Sequence, residues 1–227
     1  MDIQLLGTKI IQTYRGGGLA ATIRKAFATL VRAPRRDDFD RRHGTDTSSI
    51  ELLWKLKIDS PNARFGGRYQ ATEEQELVDA VRFLPEPPQG FTFIDLGCGK
   101  GRTLLVASEL GFRQVIGVEF AHELAQTARR NLAKMGFANA VVLDLDAADF
   151  HFPNSDMVVY LYNPFSIEVM RKVLANLRKS NAKRLYVIYR APECADLFNS
   201  CGFLDGLGSP PGRENIQIWR ASASVPR

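Results

Sequence analysis

The chain has 227 residues, 45% of them hydrophobic and 24% charged, which is enough to bury one substantial core together with an appendage. Its net charge of +5 is concentrated at the front: residues 1–70 hold 13 Lys plus Arg against 7 Asp plus Glu, so the rest of the chain is nearly neutral. Three cysteines, Cys98, Cys194 and Cys201, form neither an even set nor a metal-ligand spacing, which speaks against a disulfide scaffold and a zinc module and points to a reducing cytoplasm.

Residues 1–36 show no signal-peptide order of charge, apolar core and cleavage site. Within them Leu19, Ile23, Phe27, Leu30 and Val31 recur at helical spacing after Gly16, Gly17 and Gly18, with Lys25 and Arg32 on the other side. This predicts a basic amphipathic helix over 19–31, broken by Arg24 and Lys25 and too short for a membrane span. Such a helix either packs on its own domain or touches nucleic acid, anionic lipid or an acidic partner. Residues 33–49 carry dense mixed charge and read as a solvated linker. Residues 60–71 have loop composition, and Thr72 stands where it can cap a helix over 72–84, with Glu74 and Glu76 in the favourable first turn.

The next stretch is the most informative. An apolar run over 91–95 ends at Asp95, and Gly97, Gly99 and Gly101 then let the backbone turn sharply and approach a ligand before a helical segment over 100–110. A second strand over 114–118 ends at Glu119, about 20 residues beyond the glycines, where an acid is placed to accept hydrogen bonds from ribose hydroxyls. A pyrophosphate fingerprint reads G-x-G-x-x-G, whereas Arg102 occupies the place of its third glycine, so a dinucleotide fits poorly.

A helix is predicted over 121–135, a third strand over 140–143, a fourth over 156–162, a helix over 166–180, a fifth strand over 184–189, a short helix over 192–200 and a last strand over 215–220 after a turn-rich piece at 206–212. Alternating strands and helices imply a doubly wound α/β sheet with ligands beyond the carboxyl ends of its strands. His43, His122 and His151 are isolated and read as surface or supporting histidines.

The order Asp95-x-Gly97-x-Gly99-x-Gly101, followed by Glu119, resembles motif I and the second acid of the class I S-adenosylmethionine-dependent methyltransferases. The resemblance implies a mostly parallel seven-stranded sheet with an antiparallel last strand, S-adenosylmethionine as cofactor and no metal. It implies that Asp95 and the glycine turn handle the methionine portion and that Glu119 holds the ribose. Asp146 with Ala147 is similar to the acidic segment beside the adenine ring, with Asp144 one alternation away. Asn163-Pro164-Phe165 looks like a shortened form of the Asn-Pro-Pro-aromatic signature that orients a planar nitrogen acceptor, or else it is a proline-initiated turn with a core phenylalanine. Tyr69 and Thr72 are similar to a lid that closes over the methionine end in protein-lysine methyltransferases.

On this reading residues 69–227 are a cofactor-binding methyltransferase domain and residues 1–68 a basic helical extension and linker. The expected reaction moves the sulfonium methyl to a nucleophilic nitrogen, on a protein side chain by preference or on a small molecule. A nicotinamide-dependent oxidoreductase and a non-catalytic nucleic-acid-binding regulator are the alternatives. Against the oxidoreductase stand Arg102 and the lack of a Tyr-x-x-x-Lys or His-based proton relay.

Overall fold

A computed structural model of the chain describes residues 37–48, 71–162, 165–180 and 182–222. The expected helix over 19–31, Tyr69, Asn163 and Pro164 lie outside the described residues. In chain order the elements are α1 (Asp38–His43), α2 (Glu74–Arg82), β1 (Thr92–Leu96), α3 (Arg102–Glu109), β2 (Gln114–Glu119), α4 (His122–Met135) and β3 (Ala140–Asp144). They continue with β4 (Met157–Tyr162), α5 (Ile167–Arg178), β5 (Leu185–Arg190), α6 (Ala195–Ser200), β6 (Leu204–Gly208) and β7 (Ile216–Ala221).

The seven strands form one sheet in the order β3-β2-β1-β4-β5-β7-β6. β1 to β5 run parallel, and β7 lies antiparallel to both β5 and β6. Strand order reverses between β1 and β4, and the carboxyl ends of these two strands therefore flank the crevice where open α/β sheets bind ligands. β1 and β4 are apolar almost throughout because helices cover both of their faces, so no polar alternation is needed.

Side-chain alternation divides the core into two layers. On one face Phe93, Val115, Val158, Tyr160 and Ile188 pack against Leu77 and Val81 of α2, Leu104 and Leu105 of α3, and Ala125, Ala128 and Leu132 of α4. On the other, Ile94, Val118, Val159, Val187 and Trp219 pack against α5 and α6. The stripe Val169, Met170, Val173, Leu174 and Leu177 makes α5 amphipathic, and each such burial contributes about 1.5–3 kcal/mol.

Three sequence expectations need correction. Residues 37–48 are not a solvated linker: Phe39 belongs to the first core layer and Asp40 is 0% exposed. The α2 helix is capped at Glu73, without a side-chain cap, and Thr72 makes its hydrogen bond elsewhere. The turn-rich piece at 206–212 overlaps a strand, β6, whose sequence Leu-Asp-Gly-Leu-Gly lacks β-branched residues and whose pairing slips between Gly206 and Gly208. An edge strand with such a bulge leaves no period-2 signature.

Candidate active site

β1 delivers Asp95 to its carboxyl end, and the chain then passes through Gly97, Gly99 and Gly101 with φ of 87°, 54° and 83°. All three lie in the left-handed region that side chains resist, so the alternating glycines are required by the path of the backbone. The turn is fastened to the neighbouring strand, because the N–H groups of Gly97 and Cys98 both donate to the Val118 carbonyl, at 2.8 and 3.1 Å. Below it, Gly117 in β2 makes room: a Cβ there would lie 2.6 Å from Leu104 Cδ1 and 2.7 Å from Cys98 Sγ.

Glu119, at the tip of β2, is 3% exposed. Its Oε2 accepts the Gly99 N–H at 2.8 Å and its Oε1 accepts the Ala121 N–H at 2.9 Å. A carboxylate has more acceptor sites than these bonds use, so capacity remains for a hydroxyl donor. Burial pushes the Glu119 carboxyl up to about 7, a rise that the backbone hydrogen bonds oppose and that nearby Asp144 assists. Asp95, also 3% exposed, accepts a hydrogen bond from the Thr103 hydroxyl in the first turn of α3. It too is pushed up to about 7, chiefly by burial, with the Thr103 bond opposing and the Glu119 charge adding. Two buried carboxyls thus sit on either side of one glycine turn.

The basic residues of this loop face away from it into the protein's N-terminal segment. Lys100, 2% exposed, has its Nζ 3.5 Å from Asp46. Arg102, 6% exposed, donates from Nε to Thr47 Oγ1 at 2.7 Å, pairs with Asp37 at 2.6 Å, and lies 4.9 Å over the Phe39 ring. Both cations are engaged outside the crevice, so neither is placed there to meet an anion. The buried Glu119 carboxyl suits a ligand that brings hydroxyl donors.

At the tip of β3, Asp144 is the register partner of Glu119 and contacts the exposed His122. Asp146 caps a short 3-10 turn (Ala147–Asp149) by accepting the Ala148 N–H at 2.8 Å, and Ala147 is buried in the second core layer. On the other side, Tyr160 of β4 is the register partner of Asp95, and its hydroxyl shares a 2.8 Å hydrogen bond with Thr72. Burial raises the Tyr160 hydroxyl well above its ordinary range, so it stays protonated. Thr72 is thereby pinned beside the β1–β4 crevice. Phe165 is half-buried and packs on the second core layer.

Sequence reasoning missed a further group at the ends of β4 and β5. The Arg190 guanidinium lies 3.8 Å above the Tyr162 ring, donates to Glu76 at 2.6 Å, and shares that carboxylate with Asn215 at 3.2 Å. Burial raises the Glu76 carboxyl, but the Arg190 and Asn215 bonds outweigh it and hold the group below its usual range. Ala191 follows with φ 49°, a strained conformation for a residue with a Cβ, its N–H held by the Asn215 carbonyl at 2.7 Å. These residues come together only through the fold, and no local spacing announces them; the strand glycine Gly117 is the one missed position that carried a signal. Among the described residues, no group of three or more His, Cys, Asp and Glu is placed to hold a metal ion, and no helix is long and apolar enough to cross a membrane.

With this geometry in place, the comparisons are consistent. A family model for a methyltransferase domain matches residues 93–183. In sequence the chain is 32% identical over 96 residues to the protein-L-isoaspartate O-methyltransferase of Thermococcus onnurineus, a match covering 42% of this chain and 43% of that protein. It is 30% identical over 104 residues to the aklanonic acid methyltransferase DauC of a Streptomyces species, covering 44% and 46% respectively. The chain thus spans less than half the length of these curated relatives. In structure it is similar to the methyltransferase-fold protein yhhF of Escherichia coli, with a TM-score of 0.55 and 15% identity over 74% of this chain and 92% of that one, a likeness of fold alone.

Proposed function

We propose that the chain is a class I S-adenosylmethionine-dependent methyltransferase, a reading that the methyltransferase-domain match over residues 93–183 supports, and that it transfers the cofactor's methyl group to a nucleophilic nitrogen, with a protein side chain as the favoured acceptor. The observation that carries the cofactor half of this reading is the buried Glu119 carboxylate held over the glycine turn by the Gly99 and Ala121 N–H groups, with Lys100 and Arg102 diverted from the crevice. When bound, the cofactor supplies an activated methyl on a sulfonium.

The protein's part is then placement. Glu119 would accept the ribose hydroxyls, and Asp95, steadied by Thr103, would hold the methionine end together with Gly97–Gly101. Asp146 and Ala147 would meet the adenine end. Thr72, fixed by Tyr160, stands on the acceptor side, where Tyr69 and the Asn163-Pro164-Phe165 segment would orient the nucleophile. Holding the nucleophile in line contributes roughly 7–11 kcal/mol through avoided entropy and solvent reorganisation. A lysine amine must also be uncharged, which a desolvated site favours.

The two sequence relatives bear names that specify methylation on oxygen of a protein L-isoaspartate and a small molecule, aklanonic acid; the first agrees with a protein acceptor but not with nitrogen, and a small-molecule acceptor is the second reading. Three free cysteines accord with work in a reducing, cytoplasmic setting. The test is to incubate the full chain with methyl-labelled S-adenosylmethionine and a size-fractionated lysate. Label in protein that survives acid hydrolysis as a methylated amine supports the favoured reading; label confined to small molecules supports the second; incorporation nowhere, with no cofactor binding, removes both.

A further inference from the structure

The segment 37–48 is built around a buried carboxylate. Asp40 accepts from the Thr45 hydroxyl at 2.8 Å, from the Thr47 N–H and hydroxyl at 2.8 Å each, and from the Ser48 N–H at 2.7 Å. A charge so surrounded fixes its segment tightly, because the Thr45 and Thr47 donors it satisfies would otherwise be buried without a partner. The α1 helix that carries it is closed by Asp37 at its start, accepting the Asp40 N–H at 3.0 Å, and by Gly44 in the left-handed conformation at its end.

This rigid piece touches the cofactor turn at two points. Arg102 is one: as the first residue of α3 it places a positive charge at the positive end of a helix dipole, an unfavourable position unless carboxylates answer it. Asp37 and Asp40 do, at 2.6 and 3.8 Å, while Thr47 accepts from Nε at 2.7 Å and itself donates to Asp40. Asp46 is the other. It pairs with Lys100, and Asn131 of α4 locks the contact by accepting the Asp46 N–H at 3.1 Å and donating to the carbonyls of Asp46 and Lys100 at 3.0 and 2.9 Å. Both attachment points flank Gly101, whose place against Ala128 leaves only 3.0 Å for an added Cβ.

We propose that Arg102 is a positioning residue for S-adenosylmethionine, holding the Gly97–Gly101 turn in its ligand-ready shape by tying it to the Asp40-centred segment. The proposal rests on the cofactor reading above and adds to it a brace that makes no ligand contact: three glycines with left-handed φ have the most conformational freedom to lose, and the brace removes that freedom before the ligand arrives. Because the coupling is reciprocal, the cofactor in turn stabilises the brace.

The test compares Arg102→Ala, Thr47→Val, their combination and Arg102→Lys in the full chain, with Trp219→Phe in β7 as a destabilising control remote from the turn. Two quantities are read: backbone hydrogen exchange over residues 97–101 without ligand, and the S-adenosylmethionine Kd by calorimetry. Faster exchange over 97–101 and a Kd weakened about tenfold in each single variant are expected, the pair being no worse than the stronger single, as for residues on one link. Arg102→Lys, which keeps the charge and loses the fork, falls between. In the wild type, cofactor slows exchange at the Thr47 and Ser48 amides. Variants that only lower Tm, as is expected of Trp219→Phe, with loop exchange and Kd unchanged, overturn the proposal. If wild-type protein ignores S-adenosylmethionine while Arg102→Ala still frees the turn, the brace stands and the cofactor reading is what fails.

Discussion

Glu119 Oε2 accepts the backbone N–H of Gly99 at 2.8 Å, so the acid that ends the second strand is clamped onto the turn that follows the first. Acid and turn form one unit, and a change to either disturbs both. Glu119→Gln keeps the volume of the side chain but removes the charge that two ribose hydroxyls would meet, and it sets an amide donor against the Gly99 or the Ala121 N–H. It should weaken S-adenosylmethionine binding by about 1.5–3 kcal/mol for each charge-assisted bond lost. Calorimetric titration checks this, and an unchanged Kd would remove Glu119 from the ribose role.

The pH dependence of binding follows from burial. Asp95 and Glu119 are both pushed up to about 7 without ligand, and hydroxyl donors favour the ionised Glu119. Binding should therefore release protons near and below pH 7 and strengthen as pH rises through 7, then level off. The apo protein behaves in the opposite sense: its carboxyls hold protons that the unfolded chain has lost, so its stability falls as pH rises from the ordinary carboxylate range near 4 to about 7. Calorimetry in two buffers of different ionisation enthalpy measures the proton release, and Glu119→Gln should reduce it.

Much of this site was legible because its signals are local. The sequence Asp95-x-Gly97-x-Gly99-x-Gly101 and the interval to Glu119 are read along the chain, and the fold places them as the spacing implies. Thr103 was not legible, since its bond to Asp95 exists only once the turn has closed. The segment 37–48 misled for a related reason: Asp37, Asp38, Asp40, Arg41 and Arg42 have the composition of a solvated stretch, and nothing local shows that Asp40 gathers its own donors and turns inward. Thr72 had the residue type of a cap, but a buried tyrosine hydroxyl 88 positions away claimed its side chain.

Asp40 should matter to stability in a way that an exposed aspartate does not. Burial alone would raise its carboxyl, but the bonds from Ser48, Thr47 and Thr45 prevail and lower it to about 2. Its contribution is present above the ordinary carboxylate range near 4 and is lost as pH falls toward about 2. Asp40→Asn sets an amide donor against the Thr47 and Ser48 N–H groups and should cost on the order of 2–3 kcal/mol at neutral pH. Urea denaturation at pH 7 and pH 3 separates the two effects, the variant losing less than wild type on acidification.

Gly117→Ala probes how closely the turn sits on β2. The added methyl meets Leu104 Cδ1 at 2.6 Å and Cys98 Sγ at 2.7 Å, with Cys98 Cβ at 3.1 Å. Leu104 can rotate, whereas Cys98 belongs to the turn itself, so relief comes partly by lifting the turn. A loss of about 1–3 kcal/mol in stability, as for other overpacked cores, should accompany weaker cofactor binding. Stability lost with binding intact would place the strain in Leu104 alone.

The Thr72–Tyr160 pair separates packing from hydrogen bonding beside the crevice. Each hydroxyl is the other's partner at 2.8 Å in a buried setting next to Asp95. Thr72→Val or Tyr160→Phe alone strands the remaining hydroxyl, at about 1–3 kcal/mol, whereas removing both leaves two apolar surfaces of similar shape. The double variant should therefore be more stable than the sum of the single losses allows. If Thr72 also fixes the acceptor side, turnover falls in both singles and does not recover in the double, even though stability does. Thermal denaturation and methyl-transfer assays on the same three proteins read the two effects independently, and full recovery of turnover in the double would confine the pair to a structural role.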